Sequence, residues 1–334
     1  RRTDQGARPT GLPALPQLAR LEQESDATMP DLILHHYDFS NYAEKTRLAL
    51  GYKSLAWHSV TIPSVAPKPD LQALTGGYRR TPVLQIGADI YCDTHMILRR
   101  LEQLQPTPTF YPAGYTAAAK AVAFWAETQL FRPISLYVSG SNPDVFPLGL
   151  QADRAAMRGL PPPSAEAMQR AARRNGPLVR AQLPLIEEML SDGRDWVLGP
   201  ETTVADFSIY HALWFVTGRT DKLAFELAPF AKINAWMQRM AAFGHAVRHP
   251  CSAEEALAVA AAATPQTVPT SQPSDGDPEP GMQVRLRPDD YGREAVEGEL
   301  ALINTDEIAI RRTDAQLGSI IVHFPRLGYD LRAL

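Results

Sequence analysis

Only two cysteines, Cys92 and Cys251, occur among 334 residues, so no disulfide framework is available and a reducing, cytoplasmic setting is expected. Long apolar runs are missing too. None approaches the ~20 residues a membrane-crossing helix needs, and the longest candidate, Ala256 to Ala263, reads as a short helix. Charge of one sign is also in short supply. A net charge of -4 gives no reason to expect nucleic acid or an anionic membrane as partner. The first 28 residues lack the continuous apolar stretch of a signal peptide. They scatter Arg1, Arg2, Arg8 and Arg20 among prolines, and Met29 stands just before the first strand-like run. Residues 1–28 are therefore expected to be a poorly ordered extension.

What is present is an ordinary globular balance, 45% hydrophobic and 21% charged, in a chain too long for one core. Residues 31–105 alternate in type. Strand-like runs at Asp31–Tyr37 and Trp57–Ile62 flank a helical Tyr42–Leu50. A helical turn at Asp70–Leu74 precedes a hairpin, Thr81–Ile86 and Asp89–Tyr91, and Asp93–Gln103 is helical. The order βαβαββα makes a small α/β domain. Strand signals vanish over residues 114–263. Thr116–Phe131, Ser164–Leu190, Val204–Val216 and Phe230–Ala242 each carry helix-period apolar residues, and Thr203 with Asp206 forms a helix-start signal. This part is an all-helical bundle. Residues 264–280 (TPQTVPTSQPSDGDPEP) form a linker that cannot bury a core. Beyond it, residues 281–334 show four short strands, Met282–Leu286, Val296–Ile303, Glu307–Arg312 and Ser319–Phe324. They are expected to form a small β module, an SH3-like barrel.

Ser40-Asn41-Tyr42-Ala43-Glu44-Lys45-Thr46-Arg47-Leu48 resembles the strand-to-helix turn of serine- and cysteine-type glutathione transferases, with the omega and zeta classes nearest. Thr81-Pro82-Val83-Leu84 is similar to their cis-proline motif. Asp93-Thr94 resembles their acidic-residue-plus-serine pair, and Lys68 matches the omega-class placement of a glutathione-contacting lysine. Trp196–Tyr210 looks like the capping-box helix of their C-terminal domain. The resemblance spans roughly two thirds of the chain. It implies a thioredoxin-like α/β domain followed by a helical domain, glutathione as co-substrate, and a homodimer. Asn41 stands where many members carry proline, and Asp93 where they usually carry Glu.

The chemistry behind the pattern stands on its own. Glutathione is a weak nucleophile at neutral pH because its thiol is mostly protonated. A hydroxyl at a helix N-terminus favours the thiolate by donating to it. Lowering a thiol pKa by ~2 units corresponds to roughly 2.7 kcal/mol. Ser40 has the position for this catalytic role, and its plainer reading is a helix N-cap. By the resemblance, Thr81, beside a cis Pro82, pairs with the cysteinyl backbone. Asp93 and Thr94 take the γ-glutamyl end, and Lys68 pairs with a carboxylate. Tyr42, Trp125 and Phe131 are candidates for an electrophile pocket. Tyr37 is a substitute hydroxyl donor or a core residue. His35 and His36 are strand neighbours facing opposite sides. His245, His249 and Cys251 have helical spacing that Pro250 interrupts, so no metal is expected.

Two functions follow. One is a glutathione-dependent transferase or isomerase acting on a small apolar electrophile. The other is a non-catalytic scaffold of the same fold, acting through its C-terminal β module. The segment Val322-His323-Phe324-Pro325-Arg326 with Gly328-Tyr329 would then be a binding strip, or an edge docked on the bundle.

Overall fold

The computed structural model describes residues 31–147 and 149–334; residues 1–30, where the extension was expected, and Leu148 lie outside the described residues. The N-terminal domain runs β1 (Ile33–His36), α1 (Asn41–Tyr52), β2 (Trp57–Thr61), α2 (Pro69–Thr75), β3 (Val83–Ile86), β4 (Asp89–Cys92) and α3 (Thr94–Leu104). β1 pairs parallel with β2 and antiparallel with β3, and β3 pairs antiparallel with β4, the order of a thioredoxin-like sheet. Side chains alternate across it as strand geometry requires. Leu34, Leu84, Ile86 and Tyr91 enter a core shared with the helical domain. Ile33, Val83, Ile90 and Cys92 enter a second core on the opposite face.

The helical domain begins with α4 (Thr116–Trp125), passes through a π-helical turn (Ala126–Leu130) and continues as α5 (Phe131–Ser141). α6 (Leu150–Ala156) and α7 (Ala165–Met189) follow, then the central α8 (Val204–Thr217), the short α9 (Ala224–Leu227) and α10 (Ala231–Ala241). α8 is buried nearly all round. The expected Thr203–Asp206 capping box starts it, and Asp206 Oδ1 also accepts from Val197 N at 2.9 Å and Trp236 Nε1 at 3.0 Å. α5 and α6 are additions to the pattern read from sequence. Among the described residues no helix is long and apolar enough to cross a membrane.

After α10 the chain returns to the sheet. β5 (Arg248–Pro250) pairs with β2, and α11 (Ala253–Ala262) covers the second core. His245 lies before β5 and contacts Glu44 at 3.1 Å, while His249 is on the strand, so the helical spacing of the His/Cys group is not realised.

The C-terminal residues carry five strands rather than four: β6 (Gln283–Pro288), β7 (Val296–Ile303), β8 (Glu307–Asp314), β9 (Gly318–Pro325) and β10 (Tyr329–Ala333). They do not stand apart at the end of a linker. β9 pairs parallel with β4, matching Ile90 with Val322 and Tyr91 with His323. One sheet of ten strands results, in the order β10-β6-β7-β8-β9-β4-β3-β1-β2-β5. The segment expected to be a binding strip or to dock on the bundle is thus bound edge-on to the thioredoxin-like sheet. Within the module the strands pair in the order β10-β6-β7-β8-β9. The second core takes half its buried residues from this module. At the C-terminus of α2, Gly76 has φ 75°, and the Arg312 side chain of β8 lies where a Cβ would project.

Candidate active site

The turn between β1 and α1 brings Ser40 to the helix N-terminus. Its Oγ accepts from Ala43 N at 3.1 Å, a helix N-cap. A hydroxyl has one donor and two acceptor sites, so capping leaves the Ser40 proton available to a ligand. Both readings of this serine are compatible. Asn41 turns inward, its Nδ2 lying 2.8 Å from His211 Nδ1 on α8. Burial, with the nearby Lys45 charge, holds that imidazole neutral, its pKa pulled down to about 3. His35 and His36 do face opposite sides, bonded to Gln85 and Ser59 respectively at 2.9 Å.

Thr81–Pro82 is a cis peptide bond. Lys68, the residue just before α2, is buried and donates to Thr81 Oγ1 at 3.1 Å and Arg79 O at 3.3 Å. Burial, helped by the charge of Arg154, pulls its pKa down to about 7. Asp93 has φ 78° and caps α3, accepting from His95 N at 2.9 Å through Oδ1. Its other oxygen accepts from Tyr329 Oη of β10 at 3.2 Å. Thr94 Oγ1 accepts from Lys45 Nζ at 3.2 Å, and the buried Lys45 forms an ion pair with the half-buried Glu127 of the π-helical turn. Burial works against the Glu127 charge, but Lys45 and a 3.0 Å bond from Ser208 outweigh it and lower the carboxyl pKa.

A cavity of about 150 Å³ opens beside Ser40, Tyr42 and Thr81. Phe131 of α5, Phe215 of α8 and Phe146 of the α5–α6 loop line it on the helical-domain side. Trp125 is not part of it. It sits six residues before Phe131, a separation that does not share a helix face, and lines a separate outer groove with Leu136 and Leu178. Tyr37 belongs both to the second core and to the cavity rim, and its Oη accepts from Arg154 Nη2 at 2.8 Å. Burial raises its pKa despite that guanidinium.

Four further residues of the site lie outside the family motifs, Tyr329 having been read only as part of a binding strip. Arg80, Arg154 and Tyr291 line the cavity, and Tyr329 reaches Asp93. The first follows α2, the second lies on α6, and the tyrosines come from the C-terminal module. Arg80 donates to Asp290 and to the carbonyl of Tyr291, and its guanidinium lies 4.2 Å from the Tyr291 ring centroid. Arg79 bridges Asp153 and, at 2.8 Å, Glu294.

Comparison with known proteins agrees with this architecture. Residues 34–109 match the family model "Glutathione S-transferase, N-terminal domain", and residues 148–249 match a domain of unknown function (DUF7962). A search of curated proteins finds no match. A GST-like protein from Pseudomonas syringae aligns at 39% identity and a TM-score of 0.77, covering 92% of this chain and 100% of its own. Poplar glutathione transferase F1 aligns at 13% identity and a TM-score of 0.50 over 63% of this chain and 92% of its own, a likeness of fold alone. The wider coverage of the Pseudomonas protein requires its match to extend into the C-terminal β module. The chain belongs to the glutathione-transferase-like family, in a form whose thioredoxin-like sheet is lengthened by a C-terminal β module.

Proposed function

We propose that this protein is a glutathione-dependent transferase whose thiolate is stabilised by the Ser40 hydroxyl. The observation that carries the reading is the cavity floored by Ser40 and Thr81 and walled by three phenylalanines. The Ser40 hydroxyl keeps its proton available at the positive end of α1. Glutathione lies extended along Thr81, its γ-glutamyl end toward Asp93 and Thr94 and a carboxylate toward Lys68. The thiol releases its proton to solvent. The thiolate sulfur then forms a bond to the electrophilic carbon, and the leaving group departs with the electrons of its bond. An isomerase variant of the same site would return the sulfur at the end of the cycle. On the family resemblance we also take the protein to be a homodimer, and on its two cysteines we place it in the cytoplasm.

A second reading, a non-catalytic scaffold, is favoured by one specific observation: Asp93 and Thr94 already have intramolecular partners in Tyr329 and Lys45. The two separate on one assay. Glutathione-dependent release of chloride from 1-chloro-2,4-dinitrobenzene, lost in Ser40→Gly, supports the transferase. Glutathione binding with no turnover of any aryl halide supports the scaffold.

A further inference from the structure

The C-terminal module does more than lengthen the sheet. The loop between β6 and β7 folds over the mouth of the cavity, held there by Arg79 to Glu294, Arg80 to Asp290, and Gly292 N donating to Met157 O at 2.7 Å. It brings Tyr291 into the lining of the cavity that Phe131, Phe146 and Phe215 also line. The Arg158 guanidinium lies 5.0 Å from that ring's centroid.

Two properties of the enclosure narrow what fits. Its volume, about 150 Å³, is that of a cavity able to hold one benzene ring. The ionisable side chains lining it, apart from tyrosines, are Arg80, Arg154 and Arg158, with no carboxylate among the described lining residues. Arg80 is paired with Asp290 and Arg154 with Asp153. Arg158 has no carboxylate partner among the described residues; its Nη1 donates to the Arg154 carbonyl at 2.8 Å. The cavity, part of whose wall is aromatic, thus carries in its lining an exposed guanidinium whose fork matches a carboxylate.

We infer that the cavity takes a single-ring aromatic electrophile bearing a carboxylate, its ring against Tyr291 and the lining phenylalanines and its carboxylate on Arg158. The C-terminal module is then a specificity-determining part of the site. This deepens the transferase reading and rests on it for the word electrophile, but the binding preference is measurable without turnover.

The experiment titrates the full chain by calorimetry with 3,5-dinitrobenzoate and with neutral 1,3-dinitrobenzene, each with and without saturating glutathione. The benzoate is expected to bind about fivefold more tightly, the upper end for an exposed ion pair. Arg158→Gln should bring the two ligands within twofold, and Tyr291→Leu should weaken both. Arg158 is exposed, so its replacement leaves the fold in place. Equal affinities in the unaltered protein overturn the inference, as does a preference that survives Arg158→Gln. Loss of benzoate binding when glutathione is added also overturns it, because the cation would then serve glutathione itself. A preference retained in a protein that gives no heat with glutathione supports the ligand class and removes the transferase reading instead.

Discussion

Ser40 carries two duties that one substitution can separate. Ser40→Gly costs only a few tenths of a kcal/mol as an N-cap change, because glycine is itself a tolerated cap. It removes the sole hydroxyl proposed to meet the thiolate. Turnover of an aryl halide should fall by about 10²-fold, the usual cost of one donor to a developing or resting anion, while the melting temperature moves little. Equal activity in the two proteins would remove Ser40 from the mechanism. Lys68 gives a second test at this scale. Its depressed pKa of about 7 leaves the amine increasingly neutral as pH rises, and a bound carboxylate must restore the charge. S-methylglutathione, which has no thiol to titrate, should bind with proton uptake at pH 8. Its affinity should fall by about 25-fold between pH 6.5 and 8.5, and Lys68→Arg should flatten the profile. A flat profile in the unaltered protein would show that Lys68 only supports the Thr81 turn. Ser40, Thr81, Asp93 and Thr94 were readable in sequence because each opens or precedes an element of one compact domain. Arg80, Arg154 and Tyr291 were not. They meet only after three distant segments have packed, and no local spacing records that.

Among the elements, the β9–β4 junction sets the shape of the whole sheet. His323 on β9 stands between two buried carboxylates, Nδ1 at 2.7 Å from Glu307 and Nε2 at 3.0 Å from Asp89, with its ring stacked on Tyr91 at 4.5 Å. Burial opposes its charge, but the two carboxylates outweigh burial and raise its pKa. A group whose pKa is raised on folding contributes fully below its unfolded value of about 6.5. The contribution is lost as pH climbs through the higher folded value. Urea unfolding should therefore show stability declining above neutrality. His323→Gln should cost about 3 kcal/mol at pH 6, because it strands two buried acids, and should remove that decline. A variant as stable as the parent at pH 6 would mean the cluster is not held as described. The strand itself was legible from Ser319–Phe324. Its partner was not, since pairing across more than two hundred residues leaves no local trace. The π-helical turn was equally invisible, and it divides the helix first read as one run from Thr116 to Phe131.

For the whole molecule, the consequence is that the C-terminal module cannot be removed as an appendage. The Pro-rich stretch of residues 264–280 reads as a linker by composition, yet Gln266 N donates to Asp89 and Gln272 N to Ile303 O, both at 2.8 Å. Truncation after Ala263 would expose the thioredoxin-side half of the second core. At roughly 1.5–3 kcal/mol per large apolar side chain, a few such residues exceed the about 5–15 kcal/mol by which a protein is stable. The truncated chain should aggregate on expression; a soluble, cooperatively folding product would contradict the shared core. The division into α/β, helical and β regions was correctly visible in composition and period. That the first and last are one sheet was not, because a buried strand edge and a solvent-facing one have the same alternation.

The account rests most heavily on glutathione occupying the groove from Ser40 to Asp93, so the decisive measurement is its titration, by calorimetry at pH 7, into the full chain and into Asp93→Asn. Asparagine keeps the cap on α3 and tolerates the positive φ, and its amide nitrogen faces the Tyr329 hydroxyl, which can accept as well as donate, so the main loss is the charge offered to the γ-glutamyl ammonium. The account predicts micromolar-to-millimolar binding by the parent and at least about tenfold weaker binding by the variant, or roughly 1.4 kcal/mol. Equal binding by both would show that the tripeptide does not reach Asp93, and no binding by the parent would contradict the glutathione site altogether.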